Sequence, residues 1–477
     1  MAMQPIPARG PAAPCGRDEL LFLAGATLLG AILRLFRLDS GLWLDEVVSL
    51  VTYFRLPAGE IVTSYESANQ HLLYSLLAHG SRALFGESAW SVRLPSALLG
   101  IFSIPALYLL AREVTALREA RFAAVLLAVS YHHIWFSQSA RGYSGMVFCV
   151  IVGTLLLVQA CRESDWRLWA AYACVMGIGI LFLHNTVFVV AGHLAAMLLT
   201  VRGYARPVLT AAAGAMAIGA AGHLGVADKI VHFWLTEERT GLGGGVSTLS
   251  QFALVWKLGL QAGFLLPGAL LGALLGGWGW FSYWKSNRTI AAIAVLPAFF
   301  AAGAVLLLRY GAYPRAFLFV LPFALLVMVR GAGEAGKRLH RHAASCLIGA
   351  MIAASVASLV LLYKFPKQDY SGALAWTRNR AGQHDAICGA GMAGAVYQIY
   401  YAPEMRVART PEDLHRIEQT ASSVWVLHSF PRDMRLRFAE LYDYLEKNYE
   451  LVSRHPGTLN DGEIYVLRRG RPADPGN

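Results

Sequence analysis

Long apolar stretches recur along most of this 477-residue chain, and they limit what it can fold into. Hydrophobic residues make up 56% of the sequence and charged residues only 15%, whereas about a quarter of an ordinary soluble domain is charged. A soluble protein of this composition would expose large apolar patches and aggregate. The composition therefore excludes a soluble enzyme, a disordered chain and a disulfide-rich secreted scaffold, and it predicts a polytopic membrane protein.

Eleven of these stretches approach or reach the length of about 17–25 residues that an α-helix needs to cross a bilayer. The first is not predicted to be a cleaved signal peptide, because it is long, ends in Arg34 and Arg37, and lacks a small-x-small cleavage site. The predicted fold is mainly α, a polytopic membrane protein of about eleven transmembrane helices. These lie at residues 20–38, 92–111, 121–137, 143–160, 167–184, 186–201, 207–226, 258–281, 289–308, 314–330 and 343–363.

Basic residues are distributed unevenly among the loops, and this asymmetry predicts the orientation. With a cytoplasmic N-terminus, the inside loops hold thirteen Lys and Arg residues and the short outside loops only Arg141 and Arg309. The positive-inside rule then places residues 364–477 outside, after eleven spans. This region holds 15 Lys+Arg and 14 Asp+Glu, so the rest of the chain carries ten of the eleven net positive charges. Such an excess between apolar spans suits anionic lipid headgroups rather than nucleic acid.

The chain is predicted to have two domains, a transmembrane domain over 1–363 and an extracytoplasmic α/β domain over 364–477. The first outside loop, 39–91, is amphipathic in part and is expected to form helices on the membrane surface. Residues 227–257 contain the GLGGG sequence at 241–245 without the Lys of a phosphate-binding loop, which indicates a mobile loop. The C-terminal domain is predicted to contain helices at 371–381 and 431–447 and strands at 386–388, 423–427 and 463–467.

Two adjacent carboxylates, Asp45 and Glu46, follow the first span in the sequence GLWLDE. Adjacent carboxylates at a membrane surface repel each other and the anionic lipids, so some compensating interaction is needed. One interpretation is a general base that removes a proton from an acceptor hydroxyl. The other is structural, since Asp45 precedes an apolar-periodic segment and would suit the N-cap of a helix. Both can hold together, and the position alone does not choose between them.

Arginines at the outer ends of later spans suit phosphate binding. Arg141 and Arg315 are predicted at the same depth, and a guanidinium group binds phosphate oxygens in pairs. The alternative is that either arginine reaches to ordinary lipid phosphate. His71, in the sequence NQHLLY of the first loop, could help to bind a sugar or phosphate, although a lone His is more often structural. His184 and Asn185 are interpreted as a helix cap.

The sequence predicts neither a metal site nor a cofactor. The six cysteines include no CxxC pair, and no His, Cys, Asp or Glu cluster has the spacing of metal ligands. Gly389, Gly391 and Gly394 match the GxGxxG pattern after a strand-like run. We discount a dinucleotide site there, because a domain of about 110 residues is small for a doubly wound sheet. Nicotinamide cofactors are also scarce outside the cytoplasm.

Five segments of the chain form an ordered set with characteristic spacing. They are LWLDE at 42–46, NQHLLY at 69–74, FGESAWSVRLPSA at 85–97, FSQSARGY at 136–143, and YPR at 313–315 followed by LP at 321–322. Together they resemble the bacterial relatives of dolichyl-phosphate-mannose–protein mannosyltransferases, in order and spacing, over residues 20–330. These relatives belong to the C-type (GT-C) membrane glycosyltransferases, which also include the aminoarabinose transferase of lipid A.

The resemblance implies an enzyme that uses a polyprenyl-phosphate sugar and has its active site in the first outside loop. It implies that Asp45 is the catalytic base and that Glu46 assists it. It further implies that Arg141, Tyr143 and Arg315 belong to the donor-phosphate region. With His71 and Tyr74 of the NQHLLY segment, these residues make up the predicted substrate-binding set. The chain departs from the family pattern at Leu72, where proline is usual, and at Ser139, where glutamate is usual. These departures bear on the acceptor more than on the reaction type.

The predicted function is transfer of a sugar from a polyprenyl-phosphate donor to a hydroxyl of an envelope acceptor, which is a lipid, a polysaccharide or a protein. The reaction is expected on the outer side of a bacterial cytoplasmic (inner) membrane, with the C-terminal domain covering the site. The alternatives are a transporter or flippase and a scaffold for envelope assembly. A transporter would show inverted repeats and broken midplane helices with buried charges, whereas the ionisable residues here gather at one surface.

Overall fold

The computed structural model describes residues 15–236, 249–307, 314–340 and 342–470, and it divides into two compact units. The first unit consists of Met1–Leu38, Leu56–Glu87 and Ser91–Leu359. The second consists of Asp39–Arg55, Ser88–Trp90 and Val360–Asn477. The LWLDE segment therefore belongs to the same unit as the C-terminal region, although more than 300 residues separate them in the sequence.

Helices make up most of the described chain. In chain order they are α1 (Arg17–Leu35), α2 (Leu44–Ser49), α3 (Ala58–Ile61), α4 (Leu72–Phe85), α5 (Ala89–Val114), α6 (Leu117–Ala128), α7 (Tyr131–Ser137), α8 (Tyr143–Glu163), α9 (Trp166–Phe182), α10 (Thr186–Thr200), α11 (Ala205–Gly222), α12 (Ala227–Thr236), α13 (Leu249–Ser286), α14 (Arg288–Leu307), α15 (Leu321–Arg338), α16 (Ala343–Lys364), α17 (Tyr370–Arg378), α18 (Gly391–Val396), α19 (Pro411–Glu418), α20 (Pro431–Arg437) and α21 (Ala439–Asn448). Short π-helical turns occur at Leu50–Phe54 and Tyr397–Tyr401, and short 3-10 helices at Arg202–Tyr204, Leu224–Val226 and Pro314–Val320.

Six helices within the described residues are long and apolar enough to cross a membrane. They are Ala89–Val114, Tyr143–Glu163, Gly263–Ser286, Arg288–Leu307, Pro314–Arg338 and Ala343–Lys364. The bent pair Ala205–Gly222 and Leu224–Phe233 makes a seventh if it is one span, and α9 and α10 are apolar but shorter. The predicted mainly helical, multi-pass architecture is confirmed in this coarser form, and the count of eleven spans stays a prediction.

The span predicted at 121–137 is not one continuous helix, because α6 ends before α7 begins. Ser130 is the N-cap of α7, and its hydroxyl accepts a hydrogen bond from a backbone N–H of the first turn. The carbonyl oxygens of Leu127 and Ala128, at the end of α6, each accept a 3.0 Å hydrogen bond from the buried Arg34 of α1. A helix can be interrupted in the interior only if its terminal carbonyls find such donors. The guanidinium of Arg34 therefore explains the break.

Replacing Arg34 with methionine should destabilise the first unit strongly. Each buried carbonyl that loses its donor costs about 1–3 kcal/mol, so we expect a clear fall in the melting temperature of the purified protein. Arg34→Lys should rescue it only in part, because an ammonium group lacks the planar fork that reaches two carbonyls. Arg17→Met, at the exposed start of the same helix, is the matched control. Equal melting temperatures for Arg34→Met and Arg17→Met would contradict the assignment.

Two other segments differ from the sequence prediction. The loop predicted over 227–257 is helical at both ends, as α12 and the beginning of α13, while the glycines at 241–245 lie outside the described residues, as do Arg309 and Tyr313. The helix predicted over 431–447 is two helices, because Phe438 takes the non-helical angles φ −131° and ψ 44°. Helices are present in the first loop, as expected, and their position on a membrane surface stays a prediction.

The second unit contains five strands, β1 (Ala386–Ala390), β2 (Arg406–Ala408), β3 (Ser423–His428), β4 (Glu450–His455) and β5 (Ile464–Gly470). They form one sheet with the order β2-β1-β3-β5-β4. Strands β2, β1 and β3 are parallel, and β5 and β4 continue the sheet antiparallel. All six residues of the central strand β3 are buried, and residues of α19 and α21 share the hydrophobic core with the sheet. The predicted strands correspond to β1, β3 and β5, while β2 and β4 were not predicted.

Candidate active site

The two carboxylates of LWLDE lie at the start of α2, in the second unit. The N-cap of this helix is Trp43, whose backbone N–H donates to the Glu46 carboxylate at 3.3 Å. Asp45 is the second residue of the helix and is half-buried. The structural interpretation of Asp45 as an N-cap is therefore wrong, since Glu46 reaches back to the cap residue. The capping of α2 does not depend on the Asp45 carboxylate.

Glu46 is fully buried, and its partners come from both ends of the second unit. One carboxylate oxygen accepts from Trp43, and the other lies 3.9 Å from the ammonium nitrogen of Lys367, which is itself buried. A buried charge is costly unless it is paired and hydrogen-bonded. Lys367 therefore allows Glu46 to remain inside the protein as a carboxylate, and this pair fixes the turn on which Asp45 lies.

Tyr370, the first residue of α17, lies near Asp45. Its hydroxyl is buried, and burial together with the negative charge of Asp45 raises its pKa above the ordinary value. The phenol therefore stays neutral and cannot itself act as a base near neutral pH. The ring of Tyr370 stacks on that of Tyr401 with centroids 5.5 Å apart, which connects α17 to the turn at Tyr397–Tyr401.

In the first unit, the structure brings His71, Arg141 and Tyr143 together. The backbone N–H of Gly142 donates to Nδ1 of His71 at 2.8 Å. Nε2 of His71 lies 3.3 Å from a terminal nitrogen of Arg141, and the Tyr143 ring packs edge-on against the imidazole at 5.4 Å. Nη1 of Arg141 donates to the side-chain oxygen of Asn69 at 2.5 Å. His71 and Arg141 are both buried.

The tautomer of His71 follows from these contacts. A neutral imidazole has one acceptor nitrogen and one donor nitrogen. Nδ1 accepts from the Gly142 backbone, so the network assigns the proton to Nε2. Burial, followed by the positive charge of Arg141, holds the pKa of His71 well below its ordinary value, so the ring is neutral. Two donors, Nε2–H of His71 and the guanidinium of Arg141, therefore face each other at 3.3 Å.

The backbone around this cluster is held closely in place. A side chain at position 142 would bring its Cβ within 2.2 Å of the Phe182 carbonyl oxygen, so only glycine allows the approach to His71. On the other side, the buried amide of Gln70 donates to the carbonyls of Ile61 and Ser64 at 3.0 Å and accepts from Ser75. His71 is therefore presented by a fixed loop rather than by a flexible one.

Arg315 lies in the 3-10 helix Pro314–Val320, and its positive charge also lowers the pKa of His71. The side chain of Asn185 donates to the carbonyl of Ala316 at 2.7 Å and so anchors this segment. Asn185 is the N-cap residue of α10, although its side chain makes no capping hydrogen bond, and the C-cap of α9 is Leu183. Nε2 of His184 lies 3.0 Å from Nε2 of His223.

Tyr74 has a different environment from the other predicted binding residues. It lies in the first turn of α4 and is fully buried, and its hydroxyl donates to the carbonyl of Val92 at 2.7 Å. This bond connects α4 to α5. The contact gives Tyr74 a packing role in the first unit, and we leave it out of the substrate-binding set that we propose below.

The GxGxxG glycines allow close packing between β1 and α18. A Cβ at Gly389 would lie 2.4 Å from the Cα of Gly394, and a Cβ at Gly391 would lie 2.2 Å from the sulfur of Met434. Gly391 also has φ +57°, which favours glycine. The protein's own atoms fill the space beside these glycines, so their packing accounts for the motif.

Sequence reasoning missed the residues that support the site. Gln368, Lys367 and Tyr401 contact the LWLDE segment from the C-terminal region, and no local pattern marks them. Asn69 lies in the NQHLLY segment, but nothing in that segment marks it as a partner of Arg141. Within the described residues, no group of three or more His, Cys, Asp and Glu side chains is arranged to hold a metal ion.

Comparison with known proteins identifies related sequences over part of the chain. A family model described as dolichyl-phosphate-mannose-protein mannosyltransferase matches residues 69–224. Two proteins of Bacillus subtilis (strain 168), "Putative mannosyltransferase YkcB" and "Putative mannosyltransferase YycA", are 32% identical over 101 residues and 30% identical over 89 residues. These matches cover 21% and 18% of this chain but only 14% and 13% of the relatives. The chain thus corresponds to a small part of each relative's length.

Solved structures are similar over nearly the whole chain. ArnT from Cupriavidus metallidurans in the apo state matches with a TM-score of 0.55 and 14% identity, covering 95% of this chain and 99% of ArnT. The archaeal oligosaccharyltransferase AglB from Archaeoglobus fulgidus matches with a TM-score of 0.56 and 13% identity, covering 96% of this chain and 75% of AglB. At these identities the likeness shows the fold. With the family match, it confirms the predicted resemblance to GT-C membrane glycosyltransferases.

Proposed function

We propose that this protein transfers a sugar from a polyprenyl-phosphate donor to a hydroxyl of an envelope acceptor, on the outer side of a bacterial cytoplasmic membrane. The observation that carries the proposal is the pair of facing donors on His71 and Arg141. Both groups are hydrogen-bond donors in a buried setting, which suits an acceptor that carries negative charge. An anionic phosphate oxygen would accept from both, with the charge of Arg315 adding to the attraction.

Structures with this fold agree with such a donor. One solved structure is of ArnT from Cupriavidus metallidurans bound to undecaprenyl phosphate, with a TM-score of 0.54 and 13% identity over 95% of this chain and 99% of ArnT. The AglB structure contains a dolichol-phosphate and an inhibitory peptide. Both lipids are polyprenyl monophosphates, the class of leaving group that the donor pair of His71 and Arg141 would suit.

In the proposed reaction, the hydroxyl oxygen of the acceptor attacks the anomeric carbon of the donor sugar. Asp45 accepts the proton of that hydroxyl at the same time. The bond between the anomeric carbon and the phosphate oxygen breaks, and polyprenyl phosphate leaves with the bonding electron pair. Arg141, His71 and Arg315 stabilise the growing negative charge of that phosphate. Tyr143 holds the imidazole and the guanidinium in place through ring contacts of 5.4 and 5.9 Å.

Glu46 assists the reaction indirectly in this proposal. Its carboxylate is fully buried, accepts a hydrogen bond from the Trp43 backbone and pairs with Lys367. It therefore orients the first turn of α2, from which the half-buried Asp45 projects. The positive charge required at the phosphate comes from guanidinium groups, so the proposed mechanism uses neither a metal ion nor a cofactor.

The test is a transfer assay with purified protein. We expect label from radiolabelled polyprenyl-phosphate hexoses or pentoses to appear in an envelope extract, with release of polyprenyl phosphate in equal amount. A nucleotide sugar given without lipid should not be a donor. Movement of the intact lipid-linked sugar across vesicles without cleavage would contradict the proposal and favour the flippase alternative.

The proposed sidedness has its own test. Thirteen cations in the predicted inside loops against two in the short outside loops motivate a cytoplasmic N-terminus and an exported C-terminal domain. A reporter enzyme that is active only after export should be active when fused after Asn477. The same reporter inserted in the predicted inside loop at 161–166 should be inactive. The reverse pattern would contradict both the topology and the outer-side active site.

A further inference from the structure

We infer that Gln368 and Tyr401 are positioning residues for Asp45, so that the C-terminal region of the second unit sets the geometry of the catalytic turn. This inference rests on the proposed function, in which Asp45 is the base. It assigns to the C-terminal region a part in the chemical step, beyond covering the site or shaping an acceptor pocket.

Three contacts hold the segment around Asp45, and they alternate along the chain. The Tyr401 hydroxyl donates to the Leu42 carbonyl at 2.6 Å. The Leu44 backbone N–H donates to Oε1 of Gln368 at 3.0 Å. The Glu46 carboxylate lies 3.9 Å from Lys367. Positions 42, 44 and 46 are thus each held by a residue of the C-terminal region, and Asp45 lies between the last two.

The contact with Gln368 satisfies a backbone group at the beginning of α2. Leu44 is the first residue of α2, and the first N–H groups of a helix have no partner inside it. Gln368 is buried, and its other side-chain group, Nε2, donates to the Gly462 carbonyl at 3.1 Å. The amide orientation is therefore fixed, because Oε1 must face the Leu44 N–H when Nε2 faces a carbonyl. A residue 324 positions away in the sequence thus accepts from the first N–H of the helix.

Tyr401 is held just as firmly. Its ring stacks on Tyr370 at 5.5 Å and packs edge-on against Tyr400 at 4.9 Å, which directs the hydroxyl at Leu42. Leu42 and Trp43 are themselves buried, so the chain that leads to Asp45 is packed in the protein interior. A general base must meet the proton within hydrogen-bond distance. Loosening this turn should therefore affect the chemical step more than the binding of the donor.

The experiment compares two variants of the full-length protein with matched controls. Tyr401→Phe removes a single hydroxyl, and Gln368→Met removes both amide contacts at similar side-chain length. Tyr465→Phe and Gln383→Met are the same substitutions at a half-buried position of β5 and at an exposed position. The measurements are hydrogen–deuterium exchange of the peptide covering 41–49, kcat and KM in the transfer assay, affinity for undecaprenyl phosphate, and the melting temperature.

We expect faster exchange at 41–49 and a fall in kcat of about 10- to 100-fold, the scale that a misplacement of about 1 Å can cost. Affinity for undecaprenyl phosphate should change less than about twofold, and the controls should match the wild type in every measurement. Gln368→Glu retains the acceptor for the Leu44 N–H but not the donor to Gly462. Its kcat should therefore lie between that of Gln368→Met and that of the wild type.

Three results would overturn the inference. The first is unchanged exchange at 41–49 in both variants, and the second is faster exchange with undiminished kcat. The third is a loss of kcat in both variants that only matches a loss of folded protein, because the role is then merely structural. A fully active Asp45→Asn protein would instead refute the proposed function, and the exchange measurement would still report whether the contacts hold the turn.

Discussion

Replacing Asp45 with asparagine is expected to lower kcat by about two to four orders of magnitude, the usual cost of losing a general base. Asparagine has nearly the same shape as aspartate but does not accept the proton of the acceptor hydroxyl. The change should leave the affinity for undecaprenyl phosphate close to that of the wild type, because the donor phosphate is assigned to residues of the first unit. Steady-state kinetics of sugar transfer, together with a binding measurement, checks both parts.

The structure makes this substitution a clean test. The N-cap of α2 is Trp43, and Glu46 is the side chain that reaches back to it, so capping does not depend on Asp45. We expect the melting temperature of Asp45→Asn to equal that of Asp39→Asn, a matched change at an exposed carboxylate of the same segment. Undiminished turnover of Asp45→Asn would remove Asp45 from the catalytic role.

The sequence could predict those parts of the fold that depend on local pattern. Apolar runs predicted a chain of long helices, and alternating or continuous apolar residues predicted the buried strands β1, β3 and β5. Strand β2 has only three residues, and β4 lies at the sheet edge with no buried residue, so neither has the pattern of a core strand. The break between α6 and α7 depends on Arg34, which is 93 residues away from Leu127. No local stretch of the sequence contains both residues.

The same distinction applies to the candidate site. His71, Arg141 and Tyr143 were predicted from short segments of characteristic spacing, and the structure brings these three together. The tautomer of His71 could not be predicted, because it depends on the backbone of Gly142 approaching Nδ1. The residues that hold the LWLDE turn were also hidden, since Gln368 and Tyr401 meet it only through the chain fold of the second unit.

Loss of the Arg141 guanidinium is expected to weaken donor binding and to slow the reaction. A hydrogen bond to a charged group contributes about 1.5–3 kcal/mol, which corresponds to about a 10- to 150-fold weaker affinity at 1.36 kcal/mol per factor of ten. Arg141→Gln should therefore bind undecaprenyl phosphate about 10- to 150-fold more weakly. Its kcat should also fall, because the phosphate gains negative charge as it leaves. Binding and transfer assays on the same preparation separate the two effects.

Because Arg141 is buried, this prediction needs controls for folding and for charge. Arg141→Lys retains the positive charge but loses the planar fork, so it should fall between Arg141→Gln and the wild type. Arg118→Gln, at an exposed position of α6, should leave binding and transfer unchanged. Asn69→Ala removes the acceptor that orients the guanidinium at 2.5 Å, and it should weaken undecaprenyl phosphate binding less than Arg141→Gln does. Variants of Arg141 that melt early but bind undecaprenyl phosphate with full affinity when folded would show that the arginine only supports the fold. The proposed contact between the donor phosphate and the guanidinium of Arg141 would then be wrong.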